Sequence, residues 1–440
     1  MLFKDISIID DTFEVREHMY VGVDGAFIKY VGDKMPSEDY GDVYEGKGKL
    51  LLPAFYNLHS HIPMSLMRGY GENLPLMTWL QGKIFPFEAH LTEDDMYWGA
   101  LMGVAESLRY GIGSTSDMYL NENASARAFI EGGMKANLSN SVTWMDETDY
   151  FDLPYYENTL KAIQQYDGYD DGRIHVEFAL HAEYTSTERI VRGLAEAAIM
   201  NNSSMHVHVA ETKSEVDLCR IRHKERTPVK YLADCGLFNV PTVAAHCVHV
   251  NEEDIEILKE HNVTVATCPK SNLKLSSGVC PAAHLIDSGL NVAISTDSVA
   301  SNNNLNMIEE MRFFNLLQKG TTLDPTVITP QQTLYAATRA GAIGQRRMDA
   351  GLIKEGYRAD ITVMDAETIS TMPVHNMLNN LVYSASGNDV VLTMVDGKVL
   401  YKDGEYTTID IEKVSYECEK SRKRILGSIE ETKVPDLEVK

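Results

Sequence analysis

From residue 50 onward the chain repeats one pattern, a short apolar β-prone run followed by a longer stretch with helical spacing. Eight such runs stand out: Leu50 to Leu58, Gly113 to Met118, Ala136 to Thr143, His175 to Leu180, Ser204 to Val209, Thr242 to Ala245, Val263 to Cys268 and Asn291 to Ser295. Helical stretches such as Asp94 to Tyr110, Thr187 to Met200 and Ile308 to Leu317 lie between them. Parallel strands need a crossover of about a dozen residues or more, usually a helix. The alternation therefore restricts the chain to α/β architectures, a doubly wound open sheet or a (β/α)8 barrel of the TIM type. Eight units favour the barrel, whose chemistry gathers at the C-terminal ends of its strands.

Both flanks are β-rich. Ile6-Ser-Ile-Ile, Met19-Tyr-Val-Gly-Val and Phe27-Ile-Lys-Tyr-Val precede the barrel. A turn-and-strand signal at 351–365 and a hairpin around Asp396-Gly397 follow it. The expected organisation is residues 1–52 and 351–440 building one small β-sandwich domain from both chain ends, around a barrel at 53–350. Asp410 to about Glu430 reads as an amphipathic helix, and the acidic tail to Lys440 reads as frayed. Gly41-x4-Gly46-Lys47 imitates a phosphate-binding loop. Gly48 stands where such a loop needs Ser or Thr, and a strand rather than a helix follows, so the match is discarded.

The strand ends carry metal-compatible side chains. Pro53-Ala-Phe-Tyr-Asn-Leu-His-Ser-His61 ends the first run, and residues two apart in a strand share a face, so His59 and His61 can serve one ion. The fifth strand ends at His208, with Glu211 just beyond it; the sixth leads to His246 and the eighth to Asp297. Three imidazoles and a carboxylate can hold one borderline divalent cation and leave a position for water. Glu211 falls on the loop above, where a proton shuttle belongs. His206, His249 and Lys274 are read as supporting groups.

A formal net charge of -24 over 440 residues opposes binding to nucleic-acid phosphates or anionic membranes, and no apolar run has the length of a membrane span. The N-terminus has no signal-peptide pattern, and six scattered cysteines suit a reducing compartment, so a cytoplasmic protein is expected.

These motifs resemble the amidohydrolase superfamily, and within it the aminohydrolases that deaminate adenosine-type nucleosides. The matching pieces are Pro53-x6-His59-Ser-His61, His208-Val-Ala-Glu211-Thr, Ala244-Ala-His246-Cys-Val-His249, Pro269-Lys-Ser-Asn-Leu-Lys-Leu and Ser295-Thr-Asp297-Ser-Val-Ala-Ser-Asn-Asn. The resemblance implies His59, His61, His208 and Asp297 as metal ligands, with Glu211, His246 and Asp297 catalytic. Relatives with two metals use a lysine at the end of the fourth strand. Here that end reads Ala179-Leu-His181-Ala-Glu, so one divalent ion is expected, zinc first and iron as the alternative.

Among these enzymes the chain is most similar to the 5'-methylthioadenosine/S-adenosylhomocysteine deaminases. That similarity implies Trp79, Glu88, His181 and Glu211 as substrate contacts, with Glu88 on the ribose hydroxyls and Trp79 closing the pocket. The segment 63–91 is itself expected to overhang the site as a lid. The similarity also implies arginines after the third strand for a homocysteine carboxylate. Ser139 to Tyr166 contains none, which favours a shorter 5' group, as in methylthioadenosine, 5'-deoxyadenosine or adenosine. The expected partner is a small nucleoside. A homo-oligomer suits barrels of this kind, although the sequence marks no interface. The rival readings are deamination or dechlorination of a free ring such as guanine, cytosine, a pterin or a triazine, and a non-catalytic metal-binding relative. The small zinc deaminases of nucleic-acid bases are excluded, because their Pro-Cys-x-x-Cys motif is absent.

Overall fold

The computed structural model describes residues 1–432; the end of the tail expected to fray lies outside the described residues. Eight parallel strands form one sheet in strict chain order: Phe55–Ser60, Ile112–Tyr119, Lys135–Val142, Ile174–Leu180, Met205–Val209, Thr242–His246, Thr264–Thr267 and Asn291–Ile294. Nearly every residue in these strands is buried, as expected when helices cover the outside and side chains fill the interior. The first and eighth strands meet through a polar seam. Asp297 N donates to His59 O (3.1 Å), Thr296 N to Asn57 Oδ1 (3.0 Å), Asn57 Nδ2 to Thr296 Oγ1 (2.8 Å) and Ser60 Oγ to Asp297 O (2.9 Å). The sheet is thus a nearly closed barrel, and the bonds that close it run through two residues of the expected metal set.

A second, mixed sheet of nine strands draws on both chain ends. The N-terminal part supplies Leu2–Ile9, Val15–Asp24, Phe27–Gly32, Val43–Glu45 and Lys49–Pro53, and the C-terminal part Ile361–Asp365, Val390–Val395, Lys398–Lys402 and Glu405–Tyr406. The sheet curls until Phe27 bridges Arg358, enclosing a core of its own that includes Phe3, Ile6, Val21, Leu51, Ile361 and Leu392. Val43–Glu45 pairs with Leu2–Ile9 in parallel, and Gly46 N donates to Lys4 O, so the glycines around it end strands rather than cradle a phosphate.

One expectation needs correction. Leu50 to Leu58 is not a single strand: Lys49–Pro53 pairs antiparallel with Ile361–Asp365, and only Phe55–Ser60 enters the barrel. Ala54 N donates to Asp360 O and Phe55 N to Gly111 O, which hands the chain from one sheet to the other. Both halves are buried, so hydrophobicity runs on without a break where the sheet changes.

A buried ion cluster fastens the two sheets together. Lys135, at the start of the third barrel strand, places Nζ 2.5 Å from both Asp360 oxygens and 2.7 Å from Asp396 Oδ1. Tyr56 donates to the same Asp360 carboxylate. The final helix, Ile411–Thr432, is amphipathic as read, and it packs on the barrel helix Glu93–Arg109. Cys418 Sγ meets Trp98 O at 3.3 Å, and Arg424 pairs with Asp95. Among the described residues, no helix is long and apolar enough to cross a membrane.

Candidate active site

The fold brings the strand-end histidines together at the C-terminal mouth of the barrel. Each of the three expected ligand rings engages its Nδ1. His61 donates to Met118 O, His208 donates to His181 O (2.6 Å), and His59 Nδ1 lies 2.9 Å from His206 Nε2. A carbonyl only accepts, so His61 and His208 donate from Nδ1, and in the neutral ring the lone pair lies on Nε2. Donation from His59 to His206 leaves the same lone pair there. This arrangement of imidazoles oriented from behind is the one metal-binding histidines require.

The Nε2 atoms converge. Those of His61 and His208 are 3.3 Å apart, and Asp297 Oδ1 lies 3.4 Å from His61 Nε2 and 3.6 Å from His59 Nε2. Donor atoms of His59, His61 and His208 all fall within 4.8 Å of one another. His59 Nε2 is fully buried without a hydrogen-bond partner, an arrangement that costs free energy unless something else fills that role. Burial pushes His59 down to about 3 and His208 well below its ordinary value, so both are neutral and able to ligate. Burial alone would raise the Asp297 carboxyl, but His59, His246 and His61 outweigh it, and Asp297 stays ionised well below the usual carboxylate range. Three imidazoles and one carboxylate fit a single divalent ion of the zinc type. Glu183, Cys219 and His223 also bring donor atoms within 4.8 Å of one another. There, however, Arg222 and His223 already hold the carboxylate, and the cluster reads as a structural ion pair.

Around this cluster stand the expected proton-handling groups. His246 Nε2 lies 3.9 Å from Glu211 Oε2. Burial pushes Glu211 up, with His246 pulling it back and Asp297 pushing it further. Burial pushes His246 down, but the Glu211 and Asp297 carboxylates outweigh it and leave the ring above its ordinary value. The backbone is left-handed at Ala210 (φ 51°), His246 (φ 72°) and Asp297 (φ 60°), a conformation that costs non-glycine residues about 1–3 kcal/mol each and clusters at functional sites. The turn carrying Glu211 is secured by Glu215, which accepts from Ala210 N (2.8 Å) and Glu211 N (2.7 Å).

A cavity of about 570 Å³ opens above these groups. Trp79, Glu88 and His181 all line it, as do Glu211, His246 and Asp297, so every expected substrate contact faces the same space. One wall is the segment expected as a lid, folded as a 3-10 helix at Ile62–Met67 and a continuous helical run through Leu76–Trp79, Leu80–Ile84 and Phe85–Glu88. Burial pushes the Glu88 carboxyl up to about 7 against the pull of the Tyr119 hydroxyl, and burial takes His181 down to about 4. The lining includes Leu76, Met77, Leu80, Trp144 and Met145 and, among the described residues, no lysine or arginine.

Several contributors have no individual signal in the sequence. Ser271 and Ser301 donate to Asp297 Oδ2 (2.5 and 2.9 Å), Asn272 accepts from His246 Nδ1 (3.0 Å) and Ser277 donates to Glu211 Oε1 (3.2 Å). The run beginning Pro269-Lys-Ser-Asn marked the place but not these roles. His249, bonded to Ser277 O at 2.7 Å, and Lys274, paired with Glu72 at 2.9 Å, are supporting groups as read.

Known proteins resemble the chain in sequence and fold. The amidohydrolase family model matches residues 50–400. The 5-methylthioadenosine/S-adenosylhomocysteine deaminase of Dictyoglomus thermophilum is 39% identical over 422 residues, covering 96% of this chain and 97% of the relative. The protein of the same name from Desulforamulus reducens is 40% identical over 397 residues, covering 90% and 91%. Among solved structures, an adenosine deaminase from Xanthomonas campestris with bound zinc superposes with a TM-score of 0.89 at 29% identity, over 97% of this chain and 98% of that one. By the family match, by these relatives and by its barrel, the chain belongs to the amidohydrolase family.

Proposed function

We propose that this chain is a metal-dependent aminohydrolase that converts an adenosine-type nucleoside and water into the inosine analogue and ammonia. The observation that carries the reading is the convergence of His59, His61, His208 and Asp297 beneath one cavity that also holds Glu211, His246 and Glu88. His59, His61, His208 and Asp297 would hold a single divalent ion, zinc by the donor set. When bound, such an ion supplies Lewis acidity that brings the pKa of water toward neutrality.

The remaining chemistry belongs to the chain's own side chains. Glu88 accepts the ribose hydroxyls, and Trp79 and the apolar lid close over the sugar and exclude water from the ring. His246, held from behind by Asn272, orients the attacking water at C6 through Nε2. Asp297, ionised and steadied by Ser271 and Ser301, takes a proton from that water. Glu211, raised by burial, gives a proton to the ring nitrogen beside C6, so that electrons can leave the carbon. The C–N bond then breaks as the amino group takes the proton held by Asp297 and departs as ammonia, while the C6 hydroxyl returns its proton to Glu211 and becomes the carbonyl.

The absence of lysine and arginine from the described lining favours a 5' substituent without a carboxylate. A homocysteine tail carries a carboxylate that would find no cationic partner among the described lining residues, and leaving even a merely polar group buried and unpaired costs of order 2–7 kcal/mol. Methylthioadenosine, 5'-deoxyadenosine and adenosine are therefore the substrates of choice. The rival reading, a free ring, leaves Glu88 without a role. Glu88→Ala should lower kcat/KM for methylthioadenosine by about 10-fold or more, the loss of charge-assisted hydrogen bonds. An unchanged value, or better turnover of a free base than of any nucleoside, would reverse the assignment.

A further inference from the structure

The seventh barrel strand, Thr264–Thr267, contributes none of the expected ligands or proton-handling groups, yet the segment after it touches three of them. Ser271 Oγ donates to Asp297 Oδ2 at 2.5 Å, Asn272 Oδ1 meets His246 Nδ1 at 3.0 Å, and Ser277 Oγ donates to Glu211 Oε1 at 3.2 Å. Outward contacts hold the segment in place. Lys270 pairs with Glu309 at 2.6 Å, Lys270 N donates to Glu310 Oε2 at 3.1 Å, and Lys274 reaches Glu72 at 2.9 Å.

We propose that Asn272 is a positioning residue that fixes the His246 ring with a proton on Nδ1, so that Nε2 faces Glu211 and the cavity and is the acceptor in the neutral ring. An amide oxygen can only accept, so Nδ1 must donate to it whether the ring is neutral or charged. His246 is buried, lies nearly parallel to His208 at 5.4 Å, and sits on a left-handed backbone, so the ring has one strong orienting bond and little else to choose its tautomer. Without Asn272 the neutral ring can carry its proton on Nε2, where it would point at the water it is meant to orient. The role of that water rests on the deaminase reading above; the tautomer does not.

The test uses full-length, metal-loaded Asn272→Leu, which keeps the volume and loses the acceptor, and Asn272→Asp, which keeps the acceptor. With metal content and circular dichroism matching the parent, Asn272→Leu should lower kcat on methylthioadenosine by about 10- to 100-fold, the usual cost of removing a group that orients a site histidine. KM should stay within about two-fold, and Asn272→Asp should recover most of the lost kcat. A kcat for Asn272→Leu within about two-fold of the parent, or equal loss in both variants, would overturn the proposal. Imidazole nitrogen spectra of protein labelled with 15N-histidine, with His246 assigned by His246→Gln, give a readout independent of turnover. A proton on Nδ1 in the parent, lost in Asn272→Leu, supports the proposal, and a proton on Nε2 in the parent refutes it. Should the parent fail to deaminate any nucleoside, the functional reading falls, and the spectra alone decide Asn272.

Discussion

Glu211 and Glu88 are two carboxyls in one cavity that the protein holds in different surroundings. Glu211 sits between a basic ring and a second carboxylate, and its burial favours keeping a proton to deliver. Glu211→Gln keeps the shape and cannot cycle a proton; kcat should fall about 10²- to 10⁴-fold with metal content unchanged. Single-turnover kinetics on the metal-loaded variant would check this, and normal turnover would remove Glu211 from the mechanism. Glu88 gives a pH signature in stability. Its folded pKa, about 7, lies above its ordinary 4.5, so the native state holds the proton longer than the unfolded chain. Glu88 therefore destabilises the fold progressively as pH rises from about 4.5 to 7, and the cost is complete above that. Denaturant unfolding should show Glu88→Gln gaining on the parent between pH 5 and pH 8; a constant difference would contradict the burial argument. The groups assigned to the chemistry were legible because histidine and acid side chains at strand ends are few and strongly placed. Ser271, Asn272 and Ser277 were not, because serine and asparagine are ordinary loop residues and only the folded chain shows which of them meets a ring nitrogen or a carboxylate.

Among the elements, the barrel strands were readable for a physical reason. A parallel strand covered on both faces is a short unbroken apolar run, and turn residues or a helix bound it. The same physics hid the break at Pro53-Ala54, where both halves of one run are buried in different sheets. What fastens those sheets is Lys135 with Asp360 and Asp396, which pair residues far apart in the chain that no local pattern links. Lys135→Met would leave the buried Asp360 carboxylate without its cation and Asp396 with Arg358 alone, and should destabilise the protein by about 3–5 kcal/mol, measured by denaturant titration. A change below about 1 kcal/mol would mean that the cluster contributes little to joining the sheets.

On the scale of the whole molecule, the barrel gathers groups from the first, fifth, sixth and eighth strands into one mouth, and the segment around 63–91 gives that mouth a largely apolar wall. The size of the cavity, about 570 Å³, lies in the range that small-molecule sites occupy. The sequence shows why the chain should act on a nucleoside only through the family it resembles. The lack of cationic side chains in the cavity lining is a property of the fold, since it depends on which residues the loops bring inward. The central claim is hydrolytic deamination of a nucleoside with an uncharged 5' group. Its most direct test is ammonia release by zinc-loaded protein from methylthioadenosine, 5'-deoxyadenosine, adenosine, S-adenosylhomocysteine, guanine and cytosine, compared by kcat/KM. The account predicts turnover of the first three nucleosides with S-adenosylhomocysteine at least about tenfold poorer. Equal or better turnover of S-adenosylhomocysteine would contradict the reading of the cavity wall, and activity confined to free bases would contradict the nucleoside assignment itself.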